Sequence, residues 1–118
     1  MRHLEIMPLD LILKMRSLKV RIVERISAAG CEGRRGYWDT NNPEWVTIGW
    51  RAHKATDHAA DMANTLIHET IHSLRPTASE WWVRRRAGLF AREDKVCAEA
   101  ALRLLNAVFF DDYIKSEV

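Results

Sequence analysis

The stretch Leu66-Ile67-His68-Glu69-Thr70-Ile71-His72-Ser73-Leu74 carries the residue types and spacing best suited to chemistry. It contains H-E-x-x-H, the pattern that places two imidazoles and a carboxylate on one helix. His68 and His72 are four positions apart, so on an α-helix their side chains stand over one another, about 5–6 Å apart at Cβ. That spacing lets both rings reach one zinc ion at about 2.0–2.1 Å. Glu69 points to the side of the pair, where it is placed to hold a metal-bound water. A catalytic zinc has three protein ligands and an open position, so another His, Asp or Glu is required. A third histidine six residues after the second is excluded, because that position is Ala78 and the glycine that accompanies it is Arg75.

The five-residue pattern is short enough to arise by accident, and the surrounding elements must support it. Residues 9–29 read as a long first helix, with Leu11, Met15, Leu18, Ile22 and Ile26 at helical spacing and Gly30 as a stop. Gly36-Tyr37-Trp38 and Trp45–Trp50 are rich in aromatic and β-branched residues, with Asp39-Thr40-Asn41-Asn42-Pro43 between them, and predict a β-hairpin. Thr56 or Asp57 caps a helix that runs to about Leu74 and stops near Pro76. On it, Ala60, Ala63, Ile67, Thr70, Ile71 and Leu74 form an inner stripe, with Asp61, Thr65, His68 and His72 beside it. The histidines therefore lie at the edge of the buried face, held by the core yet open to a cleft. Ser79 starts a further helical region, and a last helix is expected over about Leu89 to Phe110. The Arg84–Arg86 run reads as a solvated helix face.

Three acids on that last helix compete for the third ligand position. At 100° per residue, Leu89, Phe90, Val96, Cys97, Ala100, Ala101, Leu104 and Val108 fall within about 80° of Glu93. A carboxylate in the middle of an apolar face needs a compensating partner, either a metal or an arginine. Glu99 points with Arg92, Lys95, Arg103 and Asn106, a polar face that explains it simply, and Asp94 lies on the boundary. Glu93 ranks first and Glu99 second.

His68-Glu69-x-x-His72, followed after twenty intervening residues by Glu93-x-x-Val96-Cys97-x-x-Ala100, resembles the gluzincin metallopeptidases. The order of elements also resembles the minimal gluzincin core and ImmA/IrrE-type domains of mobile elements, over about residues 35–105. The resemblance implies a single domain over residues 1–118 of the α+β class. Its zincin-like fold would pack a small β-hairpin or sheet on the H-E-x-x-H helix and flanking helices. It implies Zn2+ held by His68, His72 and Glu93, Glu69 as the catalytic base, and hydrolysis of a peptide or protein substrate. Strand Trp45–Trp50 would be the edge that pairs with extended substrate. Tyr37, His53, Arg84 and Tyr113 are the candidates for stabilising the oxyanion. Cys97 departs from the pattern, which has an Asp or Asn there to orient a ligand histidine.

Bulk properties are compatible with one small globular domain: 47% of the residues are hydrophobic and 29% charged. A net charge of +2 is too mild to argue for nucleic acid by itself. Cys31 and Cys97 form no C-x-x-C pair, and reduced thiols are expected. No signal peptide or membrane span is visible, so a cytoplasmic location and no membrane partner are expected. Two other readings stand beside the peptidase. One is a deformylase-like amide hydrolase with Cys31 as third ligand, although that family's glycine-rich glutamine loop is missing. The other is a non-catalytic, DNA-associated mobile-element protein that keeps a zincin metal site, supported by the arginine run and the tryptophans.

Overall fold

A computed structural model of the chain describes residues 5–26, 34–53 and 55–110. The first helix, α1, spans Pro8–Ser17. Pro8 supplies a fixed φ where a backbone N–H would be unpaired anyway, and the Asp10 carboxylate accepts from the Met7 N–H at 3.1 Å. Leu11 and Met15, one turn apart, are fully buried.

The expected long first helix ends here. Leu18 is extended, and Lys19–Val23 forms strand β1. Helical spacing and strand burial both fit the apolar residues of 18–23, and the deciding factor is non-local. β1 pairs in parallel with β3 (Trp45–Gly49), from Lys19 opposite Trp45 to Val23 opposite Gly49. A central parallel strand is buried along nearly its whole length, which suits Val20, Ile22 and Val23. Arg21 is buried among them. Its Nε donates to Thr47 Oγ1 at 2.6 Å, and its guanidinium lies over the Trp45 ring.

The predicted hairpin is present. β2 (Gly36–Tyr37) pairs antiparallel with β3. The Asp39 carboxylate organises the turn by accepting from the N–H groups of Asn41 and Asn42. The helical region expected from Ser79 is α3 (Glu80–Phe90). The last helix differs from expectation, because the chain turns at residues 91–93 and forms α4 (Asp94–Leu105) and then β4 (Val108–Phe110). β4 pairs in parallel with β1, giving a mixed four-stranded sheet in the order β2-β3-β1-β4. Among the described residues the architecture is α+β, with four α-helices and one small sheet.

Helix α2 (His58–Leu74) runs through the centre, with Leu66, Ile67, Thr70 and Ile71 fully buried. Their partners in one core include Leu11, Met15, Ile22, Val46, Ile48, Val83 and Val96. Among the described residues, no helix is long and apolar enough to cross a membrane.

Candidate metal centre and its cleft

The face of α2 that leaves the core carries Asp61, Thr65, His68, Glu69 and His72, and it forms the floor of a cleft of about 930 Å³. One wall is the β2 edge, from Arg34 to Trp38, and the other is α3 through Glu80, Arg84 and Ala87. His68 and His72 are about one-fifth exposed, and their Nε2 atoms lie 3.1 Å apart. The predicted stacking at i and i+4 is therefore met.

The third donor beside them is the carboxylate of Glu80. Its Oε2 lies 2.9 Å from His68 Nε2 and its Oε1 lies 2.9 Å from His72 Nε2. One ligand atom from each residue falls within 4.8 Å of the others, a group that could hold a metal ion. A tetrahedral site with bonds of about 2.0–2.1 Å has donor–donor edges of about 3.3 Å, close to these separations. A protonated pair would set two N–H groups face to face at 3.1 Å. A cation instead serves both imidazole lone pairs and the carboxylate together. Burial lowers the His68 pKa, with the Glu80 charge working against it, so His68 favours the neutral ring a metal needs. Partial burial works to raise the Glu80 pKa. The charges of His68 and His72 and hydrogen bonds from Arg84 and His72 outweigh it, and the Glu80 pKa is lowered.

Local sequence explains how Glu80 arrives there. The Ser79 hydroxyl caps α3 by accepting from the Trp82 N–H at 3.1 Å, which puts Glu80 in the first turn. The linker from Arg75 to Ser79 is short. It is pinned by Arg75 Nη2 donating to the Glu5 carbonyl at 2.8 Å and by the Ala78 N–H donating to the Arg75 carbonyl at 3.1 Å. The start of α3 is thereby folded back onto the end of α2.

Glu93, ranked first from the sequence, lies outside this group. The wheel argument assumed one unbroken helix, but Glu93 occupies the N-cap of α4 and is exposed. Its apolar face therefore does not exist. Glu99 is also corrected, because it is buried and not solvated. Its Oε1 accepts from Arg16 Nε at 3.1 Å and its Oε2 lies 3.4 Å from Arg103 Nε, tying α4 to α1. Cys97, on the same helix, donates through Sγ to the Ala91 carbonyl. Cys31, the deformylase-like alternative, lies outside the described residues, as does Tyr113.

Glu69 is 9% exposed and faces β2. A Cβ added to Gly36 would stand 2.9 Å from Glu69 Cγ, 3.1 Å from its Oε2 and 2.6 Å from Thr65 Cγ2. The missing side chain thus lets the strand lie directly on the carboxylate. Burial, reinforced by the Glu80 charge and opposed by Arg34, pushes the Glu69 pKa up to about 7. A carboxylate poised near neutrality beside a three-donor group can accept and return a proton.

Two of the four oxyanion candidates, Tyr37 and Arg84, line the cleft, and the Tyr37 hydroxyl donates to the Asp39 carboxylate. His53 does not. It is buried, with Nδ1 2.9 Å from the Gly49 carbonyl oxygen and Nε2 2.7 Å from Thr65 Oγ1, so it braces α2 from behind. The arginine run splits as expected for a helix: Arg84 meets Glu80, while Arg85 and Arg86 stack on Trp81 and Trp82. The strand expected to pair with substrate, β3, is internal to the sheet, and among the described strands it is β2 that lies at the sheet's end beside the cleft.

Comparison with protein-family models, with curated proteins and with solved structures finds no match to this chain.

Proposed function

We propose that this chain is a small zinc-dependent peptidase, similar in plan to the minimal gluzincins, with His68, His72 and Glu80 as the metal ligands. Glu80 replaces the Glu93 expected by resemblance. Both carboxylates follow H-E-x-x-H on a later helix, but Glu80 comes eight positions after His72. The observation that carries the reading is the buried Glu69 beside that donor group, with its pKa raised into the neutral range. A lone metal-binding site would have no use for so costly a carboxylate.

When bound, zinc would polarise the scissile carbonyl and make a water acidic enough to attack at neutral pH. Glu69 takes the proton from the attacking water and delivers it to the leaving amine nitrogen. An extended substrate would lie along the cleft beside β2, the terminal strand among those described, and Gly36 keeps that strand close to Glu69.

The test is cleavage of a peptide library by zinc-loaded protein, blocked by chelator and restored by zinc. Glu69→Gln is expected to retain zinc and lose cleavage by at least about 100-fold. Turnover retained in that variant would refute the mechanism.

A further inference from the structure

The cleft holds more positive charge than the proposed reaction uses. Arg84 lies one turn after Glu80 on α3, largely exposed, and its Nε donates to Glu80 Oε2 at 3.2 Å. That bond orients the guanidinium. Nη1 and Nη2 then carry the remaining N–H donors, with no hydrogen-bond partner among the described residues. The same Glu80 oxygen is 2.9 Å from His68 Nε2, so this fork stands immediately beside the donor group. On the facing wall, Arg34 is near enough for its charge to act on Glu69, and Arg35 lies 3.8 Å from Asp61. Across the cleft, Arg34, Arg35 and Arg84 balance Asp61, Glu69 and Glu80. A divalent ion therefore leaves a net excess of positive charge facing the substrate.

Resting on the peptidase reading above, we propose that Arg84 is a specificity-determining residue that binds a carboxylate of the peptide substrate next to the scissile bond. Arg34 adds longer-range attraction. The carboxylate is either an acidic side chain or a free C-terminus. Two facts favour this anion over a diffuse acidic surface. A guanidinium whose Nε is already anchored presents a flat pair of donors, which matches a carboxylate in two parallel hydrogen bonds. Neighbouring Cα atoms are about 3.8 Å apart, so a group one residue from the reacting carbonyl falls beside Arg84. The competing account is that Arg84 merely steadies Glu80. It predicts weaker zinc binding in an Arg84 variant but no change in peptide preference.

The test uses zinc-saturated Glu69→Gln protein, so binding is read without turnover. Four dye-labelled, N-acetylated alanine-based hexapeptides are compared by fluorescence anisotropy. One has a single Glu and a C-terminal amide, one has Gln in its place, one is neutral with a free C-terminus, and one is neutral and amidated. The Glu peptide or the free-acid peptide is expected to bind about tenfold tighter than its neutral counterpart, and which one does so identifies the source of the carboxylate. Adding Arg84→Gln should shrink that preference to within about twofold, and Arg84→Lys should restore it only in part, because a point charge lacks the fork. Equal binding of all four peptides, or a preference that survives Arg84→Gln at zinc saturation, would overturn the proposal. The unsubstituted zinc-loaded protein is then given the same peptides. If it cleaves none of them while the preference holds, the peptidase reading fails and the carboxylate subsite stands.

Discussion

Glu69 is held where its charge is unfavourable, and this has a cost that can be measured. Between the ordinary carboxyl pKa of 4.5 and about 7, the metal-free folded protein keeps a proton that the unfolded chain has released. Stability therefore falls as pH rises through this window, and the effect disappears below 4.5, where both states hold the proton. Glu69→Gln should make the metal-free protein more stable at pH 8, by up to about 3 kcal/mol, and should leave it nearly unchanged at pH 4.5. Thermal melts at the two pH values check this, and an equal gain at both would remove the electrostatic cause. At the same scale, zinc affinity separates the two acids. Glu80→Gln should weaken zinc binding by more than about 100-fold, while Glu93→Gln, at an exposed helix cap, should leave it unchanged. Competition with a chromogenic chelator gives both numbers.

The elements matter because the site is divided among three of them. α2 supplies the two imidazoles and Glu69, α3 supplies Glu80, and β2 covers Glu69 with the backbone of Gly36. Gly36→Ala places a methyl group against both Thr65 Cγ2 and Glu69. Turnover should fall about 10–100-fold, since small misplacements of a catalytic group carry penalties of that size. Adding Thr65→Ser removes the tightest contact, at 2.6 Å, and keeps the hydroxyl that meets His53. The double variant should regain thermal stability but not turnover, because the contacts to Glu69 remain. Recovery of both would place Gly36 in a packing role alone. α4 has a different task. Its Glu99, drawn between Arg16 and Arg103, fixes it to α1 and contributes nothing to the cleft.

For the molecule as a whole, a metal bound by α2 and α3 joins two helices that otherwise meet through a short linker and their packing. Any ion that binds the folded state and not the unfolded one stabilises by mass action. At free zinc about 1,000-fold above Kd, the gain is about 4 kcal/mol. For a domain of this size, chelator should lower Tm by more than about 10 °C, and Glu80→Gln should abolish that difference. A Tm indifferent to chelator in the unsubstituted protein would show that no ion is held there.

Some of this arrangement was legible in local sequence. H-E-x-x-H at helical period, the Asp57 and Pro76 boundaries, and the polar turn between two aromatic and β-branched stretches each act over a few residues. They placed α2 and the β2–β3 hairpin, and they set His68 and His72 one turn apart on α2 with Glu69 beside them. Three matters were not decided by local pattern. Lys19–Val23 has a pattern that serves a helix or a strand, and pairing with Trp45–Gly49 decided it. Glu93 faced an apolar stripe only if the helix ran on, and the turn at 91–93 exposed it instead. Glu80 had a sufficient local reason to be where it is, as an acid behind the Ser79 cap, and nothing within α3 pointed to a ligand. The sequence by itself determined the pairing of His68 and His72 beside Glu69, because a separation of four positions on one helix sets it. Only the tertiary structure decided the third donor, because the return of α3 onto α2 brings Glu80 to them.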